Sequence, residues 1–243
     1  MDHRLVGEFM GTLILIFLGD GVNANVLLAK SAAENSGWIV ITTGWALAVM
    51  AGVFAAIACG SPDAHINPAV TLAFAIVSGD YSKLIPYAIA QVGGAIAGAT
   101  LVWLHYLPHW AHTPDALRKR ACFCTSPSIR NTGANLLSEV LGTFVLVTTI
   151  AAIFSKALST SGPAAGLGPF LVGAVVWAIG LCLGGTTCFP VNPARDLGPR
   201  IAHWILPIAG KGDSDWKYAG VPVAGALLGA ALAGAFIKIA FQS

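Results

Sequence analysis

Two short polar motifs stand out in this chain of 243 residues, because the triplet Asn-Pro-Ala occurs twice, as Asn67-Pro68-Ala69 and as Asn192-Pro193-Ala194. Asparagine is a favoured helix N-cap, and proline fits the first helical position, where no backbone donor is needed. Each triplet therefore predicts the start of a helix. Two helix starts in an apolar chain are two positive dipole ends placed where charge is normally excluded. The simpler interpretation is that both asparagines only cap helices.

The composition indicates an integral membrane protein that contacts the lipid bilayer. Hydrophobic residues make up 56% of the chain and charged residues only 10%, whereas soluble domains carry about 25% charged residues. Long segments without any charge, at 38–60, 84–104 and 157–194, support this interpretation. The net charge of +2 says nothing about nucleic acid, but the sequence has no basic run suited to binding it, so we expect no nucleic-acid partner.

Six hydrophobic segments have the length that crosses a bilayer, about 20 residues. They lie at roughly 5–29, 38–60, 84–105, 135–157, 167–187 and 218–240. Between them are two segments that contain the triplets, 61–83 and 188–217, and a long polar loop, 106–134. The sequence therefore predicts a multi-pass protein of the cell membrane.

The chain contains an internal duplication, with repeats at about 1–110 and 131–243. Two sets of residues match at an offset of 131 residues, Gly7–Thr12 with Ser138–Thr143, and Gly94 and Gly98 with Gly225 and Gly229. Because each repeat has three spans, an odd number, the second repeat must enter the membrane from the opposite side. Such inverted repeats place the working site near the bilayer midplane, where the halves meet.

The two triplet segments are too short to cross the membrane twice, so we predict half-helices that enter from opposite faces and meet at their tips. Irregular backbone at that depth is tolerated only where it is buried in protein or lines a cavity. The expected fold is therefore all-α, with six transmembrane helices and two re-entrant half-helices in an inverted 3+3 repeat. We expect a single transmembrane channel domain over 1–243.

The paired triplets, the glutamates Glu8 and Glu139 duplicated in spans one and four, and the inverted six-span repeat together resemble the aquaporin superfamily (major intrinsic proteins). The likeness covers nearly the whole chain. Asp196, directly after Arg195, resembles the glycerol-facilitator branch, since water-selective members usually have serine there. The resemblance implies a passive channel for glycerol and other small neutral solutes, which also conducts water and excludes ions and protons.

The selectivity filter of this family can be carried over by position, and it falls on Trp45, Gly180, Phe189 and Arg195. This set resembles that of the glycerol facilitators. The rings of Trp45 and Phe189 would face the carbons of glycerol, and the fixed fork of donors on Arg195 would bind its hydroxyls. Gly180 leaves width that the histidine of water-selective members would fill. On sequence alone, Trp45 could instead belong to an interfacial aromatic belt, and Arg195 could be an interfacial anchor.

Four further residues are assigned structural support. Glu8 and Glu139 lie inside spans, and the resemblance implies that they brace the backbone of the pore loops, with a proton relay as the alternative. Asp196 lies in the first turn of a helix, where an acid suits the dipole. His65 precedes the first triplet, and we expect a structural role near the pore mouth.

Passive transport implies no cofactor and no metal, and no catalytic motif such as His-Glu-x-x-His is present in the sequence. The sequence therefore predicts a protein that is not an enzyme. Two alternatives stay open. One is a water-selective channel of the same family. The other is an ion-coupled secondary transporter, for which Glu8, Glu139 and Asp20 are the ionisable candidates.

The resemblance also implies a homotetramer with both termini in the cytoplasm. Counted on that topology, four lysines and arginines lie inside and nine outside, which is opposite to the usual positive-inside bias. We keep this orientation because the filter arginine should face the wide outer mouth.

Overall fold

The structure of the protein, a computed structural model, describes residues 2–241. Within this range every regular element is a helix. The helices are α1 (His3–Leu27), α2 (Trp38–Ala58), α3 (Pro68–Ser78), α4 (Leu84–His105), α5 (Leu107–His112), α6 (Ala116–Ala121), α7 (Thr132–Ile153), α8 (Leu167–Cys182), α9 (Pro193–Ile205) and α10 (Gly220–Ala240). Helices α1, α2, α4, α7 and α10 are long and apolar enough to cross a membrane.

The fifth predicted span is shorter than expected. Helix α8 has 16 residues and ends at Cys182, five residues before the predicted limit at 187. Its length is about 24 Å, less than the hydrocarbon core of about 30 Å. The cause is the glycine pair Gly184-Gly185, which disfavours helix and lies where the chain turns inward toward the second triplet. Helix α7 also ends early, at Ile153 rather than 157.

The triplets start helices as predicted. Asn67 is the N-cap of α3, and its Oδ1 accepts from the backbone N–H of Ala69 at 2.9 Å. Asn192 is the N-cap of α9, and its Oδ1 accepts from the N–H groups of Ala194 at 3.0 Å and Arg195 at 3.2 Å. In both helices proline occupies the first turn. These caps satisfy donors that would otherwise be unpaired at membrane depth.

Each half-helix packs against a long helix of the other repeat. The half-helix α3 packs along α10, and α9 packs along α4. Both contacts are close because small residues meet there: Gly198 of α9 lies on Ala95 of α4, and Gly234 of α10 lies on Ala73 of α3. A side chain at either glycine would strike the opposing residue. The exchange of half-helices holds the two repeats together around a shared core.

The long polar loop is ordered and forms a cap over one end of the helices. It contains α5 and α6, and it buries the side chains of Trp110, Cys122 and Phe123. The rings of Trp110 and Phe123 are stacked with centroids 5.5 Å apart. Burial raises the pKa of the Cys124 thiol to about 12, so this side chain stays protonated and adds no charge. Thr125 at the end of this cap donates to Asp196 in the first turn of α9, so the cap contacts the start of that helix.

Candidate channel pore and selectivity filter

The two triplets are joined at their tips by reciprocal hydrogen bonds. The side-chain amide of Asn67 donates to the carbonyl of Val191 at 2.9 Å, and the amide of Asn192 donates to the carbonyl of Ile66 at 2.9 Å. Each carbonyl belongs to the residue just before the other triplet. An asparagine amide carries two N–H groups, so one remains on each residue for a group in the adjacent cavity.

The backbone that leads into each triplet is in an unusual conformation. Ile66 and Val191 have φ angles of 44° and 41°, the left-handed region that β-branched residues rarely adopt. A backbone conformation of this kind costs about 1–3 kcal/mol, and it is stable only where the surrounding structure holds the residue in place. The left-handed turns lead the chain into the triplets, and the carbonyls of these same residues accept the reciprocal bonds of the asparagines.

Glu8 of α1 holds the first of these turns. Its Oε1 accepts from Ser61 Oγ at 2.7 Å and from the backbone N–H of His65 at 2.9 Å. Its Oε2 accepts from the backbone N–H of Ile66 at 2.7 Å and from Gln91 Nε2 at 2.7 Å. The carboxylate is fully buried, and four donors surround it. This geometry is that of a backbone brace.

Glu139 of α7 occupies the matching position in the second repeat with fewer partners. It accepts from Thr187 Oγ1 at 2.5 Å and from the backbone N–H of Val191 at 3.1 Å. Its side chain is also buried. Both predicted braces therefore contact the loop that precedes their own triplet.

Three of the four proposed filter residues line one cavity of about 610 Å³: Trp45, Phe189 and Arg195. The same cavity is lined by Asn67 and Asn192. The guanidinium carbon of Arg195 lies 4.1 Å from the centroid of the Trp45 ring. The predicted filter and the predicted triplet contacts therefore belong to one continuous space.

Gly180 lies behind this lining, against the ring of Phe189. A Cβ atom added at Gly180 would be 2.9 Å from Cζ of Phe189 and 3.0 Å from Cγ2 of Thr42. The indole of Trp38 donates to the Gly180 carbonyl at 3.0 Å and meets the Phe189 ring edge-on. The glycine therefore sets the width of the cavity through the position of Phe189.

Arg195 is held from the loop and from α1. Its Nη1 donates to the carbonyl of Phe123 at 3.3 Å, and the same atom lies 3.7 Å from Oδ1 of Asp20. Within residues 2–241, Phe123 supplies the one hydrogen-bond acceptor of this guanidinium. Since the group has five N–H donors, most of them remain available to a molecule in the cavity.

Helix α1 supports Trp45 as well. The indole Nε1 of Trp45 donates to Oδ1 of Asn23 at 3.1 Å, and Gly19 lies directly under the ring. Asn23 and Gly19 are not among the residues predicted from the sequence, and Asp20 is predicted there only as an ion-coupling candidate. A signal was present, because Asp20 and Asn23 are polar residues three positions apart in an apolar helix and so share a face. The carbonyl of Phe123 has no signal in the sequence.

Asp196 lies outside the cavity and joins α9 to the loops. It forms a fully buried pair with Arg200, with Oδ1 at 2.7 Å from Nη2 and Oδ2 at 2.9 Å from Nε. It also accepts from the hydroxyl of Thr125 at 2.5 Å. Arg200 donates in addition to the carbonyls of Ser214 and Asp215. This network fixes the loop whose Phe123 carbonyl contacts the filter.

His65 lines the cavity toward its other end. Its ring is stacked on Phe74 at 5.6 Å, and its Nδ1 is 3.1 Å from Thr71 Oγ1. Both partners belong to α3. The ring therefore contributes to the wall of the cavity while it packs on the half-helix that follows it.

Five long helices and the shorter α8, with two half-helices joined tip to tip beside a continuous cavity, define a membrane channel of the inverted-repeat class. The sequence profile of the major intrinsic protein family matches residues 2–237, and the chain belongs to this family. This result confirms the predicted aquaporin-superfamily resemblance and a multi-pass membrane protein.

The chain is similar to curated relatives over nearly its whole length. It is 54% identical to glycerol uptake facilitator protein 3 of Lactiplantibacillus plantarum, over 94% of this chain and 93% of that protein. It is 52% identical to the glycerol uptake facilitator protein of Bacillus subtilis, over 97% and 84%. A D/L-lactic acid transporter of Lactiplantibacillus plantarum is 40% identical, over 98% and 97%. The predicted glycerol-facilitator branch is thereby confirmed.

The structure is similar to the X-ray structure of the aquaglyceroporin from Plasmodium falciparum, with a TM-score of 0.84 and 26% sequence identity over 99% of this chain and 96% of that chain. The predicted fold of six transmembrane helices and two re-entrant half-helices is therefore confirmed.

Proposed function

We propose that the protein is a passive channel for glycerol and other small neutral solutes, that it also conducts water, and that it excludes ions and protons. The observation that carries this proposal is the filter, in which the aromatic rings of Trp45 and Phe189 and the guanidinium of Arg195 line the same cavity. The names of the glycerol uptake facilitators that it resembles support the same solute.

Glycerol has hydroxyls along one edge and carbons along the other. The Trp45 and Phe189 rings offer an apolar wall to the carbons, and the free N–H groups of Arg195 offer donors to the hydroxyls. A solute that loses its hydration shell at a constriction must regain hydrogen bonds from the protein, and pore width and lining donors decide which molecule can do so. Gly180 keeps this constriction wide enough for a chain of three carbons.

The second contact lies at the tips of the half-helices. Asn67 and Asn192 each retain one N–H that can donate to a hydroxyl or water oxygen as it passes. The positive ends of α3 and α9 point at the same place. Together with Arg195 they raise the potential along the pore, which disfavours cations, including hydronium.

The supporting residues do not bind the solute but hold the loops and the wall around the pore in position. Glu8 and Glu139 hold the turns before the triplets, Asp196 holds the loop over the filter, and His65 forms part of the wall near the opposite mouth. With four donors around the Glu8 carboxylate, a brace is favoured over a proton relay.

We propose that the chain assembles as a homotetramer in the cell membrane, with both termini in the cytoplasm and Arg195 near the outer mouth. Transport needs neither cofactor nor catalysis. A water-selective channel is the alternative within the family, but the space at Gly180 and the identity to glycerol facilitators favour a wider pore. An ion-coupled carrier is not favoured, since Glu8 and Glu139 are engaged by backbone and side-chain donors and Asp20 lies beside the guanidinium of Arg195.

The proposal is tested by stopped-flow light scattering on vesicles that contain the purified protein, with water, glycerol, urea and lactic acid compared in parallel. We expect glycerol permeability well above that of empty vesicles, without an ion gradient and without saturation at modest concentration. Glycerol permeability equal to that of empty vesicles would overturn the proposal. Uptake that requires an ion gradient would favour the carrier instead.

A further inference from the structure

Asp20 of α1 has an environment that the transport scheme leaves unexplained. Its side chain is fully buried, and in the part of the chain that the structure describes neither carboxyl oxygen has a hydrogen-bond partner. A buried carboxyl group without a donor is costly, and native proteins satisfy nearly all such groups. The position therefore calls for a compensating interaction of another kind.

The compensating group is Arg195. Its Nη1 lies 3.7 Å from Oδ1 of Asp20, too far for a hydrogen bond but close enough for a strong charge interaction away from water. The other nearby acid, Asp196, is already paired with Arg200 at 2.7 Å. The thiols of Cys122 and Cys124 in the loop are buried and carry raised pKa values, so they stay neutral. Asp20 is thus the counter-charge of the filter arginine.

The two repeats show that this acid is not required by the fold. At the offset of 131 residues, Asp20 corresponds to Ala151, which is also buried. At the offset of 125 residues that relates the triplets, Arg195 corresponds to Val70. The acid is therefore present in the repeat whose α1 faces Arg195. At the equivalent positions of the other repeat, apolar residues replace both Asp20 and Arg195.

The positive charge of Arg195 and the positive helix ends repel cations. Without a counter-charge they would attract anions for the same reason. Arg195 and the N-terminal ends of α3 and α9 would together form an attractive site for a small anion. A channel that excluded cations in this way would bind or conduct carboxylates and inorganic anions. Asp20 lies within 3.7 Å of the one full positive charge in the filter, where it opposes this attraction most directly.

We propose that Asp20 determines the charge selectivity of the filter: by offsetting part of the positive charge of Arg195 it makes the pore reject small anions, while the remaining positive potential still disfavours cations, so that only uncharged solutes pass. This inference rests on the proposed function and deepens it. It gives a residue that restricts the pore to the neutral solutes already proposed, and it implies that a hydroxy acid passes only in its protonated form. Asp20 acts through Arg195 and is a positioning and charge-setting residue.

The test compares Asp20→Asn, which removes the charge at constant shape, with Asp20→Ala, which installs the residue of the other repeat. The matched control is Asp2→Asn, the same change at the exposed start of the same helix, where either residue serves as an N-cap. Nitrate is the probe because it stays anionic at every working pH. Nitrate entry is measured by light scattering after vesicles are mixed with potassium nitrate in the presence of valinomycin, which carries the compensating K⁺ inward, and folding is judged by size-exclusion elution and thermal unfolding in detergent.

We expect nitrate permeability to rise about tenfold or more in both Asp20 variants and to stay at the parent level in Asp2→Asn. Folded variants with unchanged nitrate permeability would overturn the inference. Loss of folding in both variants would assign Asp20 to helix packing and overturn it too. Failure of the proposed function is seen separately, as parent glycerol permeability equal to that of empty vesicles.

Discussion

The guanidinium of Arg195 lies over the ring of Trp45, with 4.1 Å between its central carbon and the ring centroid. A planar guanidinium can lie flat on the indole and still aim its N–H groups sideways into the cavity, which an ammonium cannot do. The two residues therefore act as one unit, in which the apolar and the polar side of the filter have a fixed relative orientation.

Arg195→Lys tests this unit. We expect glycerol permeability to fall about tenfold, because lysine keeps the charge but loses the planar fork and the stacking. Arg118→Lys, in the exposed loop, is the matched control and should transport as the parent does. Light scattering on reconstituted vesicles measures both. Unchanged glycerol permeability in Arg195→Lys would contradict the assignment of donors to the filter.

The hydrogen bond from the indole of Trp45 to Asn23 of α1 can be tested by substituting each partner. Asn23→Ala leaves the indole N–H buried without its acceptor, at a cost of about 1–3 kcal/mol. Trp45→Phe removes the donor, so the double variant should recover part of this loss relative to the sum of the single changes. Thermal unfolding in detergent measures the cycle, with Asn25→Ala as the control on the same helix. Strictly additive effects would show that the bond contributes nothing.

Glu8 and Glu139 contact the loops before their own triplets, with four hydrogen-bond donors around Glu8 and two around Glu139. Replacing a carboxylate by an amide turns one acceptor oxygen into a donor nitrogen, which then faces the donors of its former partners. We therefore expect Glu8→Gln, with four donors, to lower the unfolding temperature more than Glu139→Gln, with two. Thermal unfolding of both variants in one detergent gives the comparison. The reverse order would argue against the brace.

Gly180→His should reduce glycerol permeability much more than water permeability. Any side chain at this position must displace the Phe189 ring, because an added Cβ already lies 2.9 Å from it, and the displaced ring narrows the filter. Gly220→His is the control, since Gly220 is exposed and nothing lies within 4 Å of a Cβ there. Permeabilities for both solutes come from the same vesicles. Equal losses for the two solutes in a folded variant would contradict the role of Gly180.

Asp196→Asn tests whether this acid supports the loop or selects the solute. Removing one partner of a buried ion pair leaves Arg200 uncompensated, so we expect a loss of about 3–5 kcal/mol in the free energy of unfolding. The solute preference of the channel that still folds should be unchanged. Asp213→Asn, at an exposed ion pair with Arg120, should have little effect on stability. A changed ratio of glycerol to water permeability in Asp196→Asn would place the acid in the filter.

The sequence was sufficient for the fold because the decisive features are local or repeated. The Asn-Pro pairs start helices by capping and by the fixed φ of proline, and the 131-residue offset implies inversion without any contact information. The end of α8 was misplaced because the segment up to 187 stays apolar, and only the Gly184-Gly185 pair marks the turn. Hydrophobicity alone cannot distinguish a spanning helix from an apolar loop buried in protein.

The residues of the filter could be predicted from the sequence, but the contacts that support them could not. Trp45, Phe189 and Arg195 were predicted by position and do line one cavity, but their supports come from distant segments. The Phe123 carbonyl is a backbone atom, and any residue type could supply it. Asn23 and Asp20 matter because α1 packs behind the filter, and that packing depends on tertiary contacts such as Gly19 under the Trp45 ring.

The reciprocal bonds between the asparagine amides and the carbonyls of Ile66 and Val191 bear on ancestry. Each repeat contributes one donor and one acceptor, so one repeat paired with an inverted copy of itself would satisfy both bonds. The smallest unit that closes this pore is therefore half a chain inserted in both orientations. In the present chain the two ends of the pore differ, since Asp20 of the first repeat corresponds to Ala151 in the second.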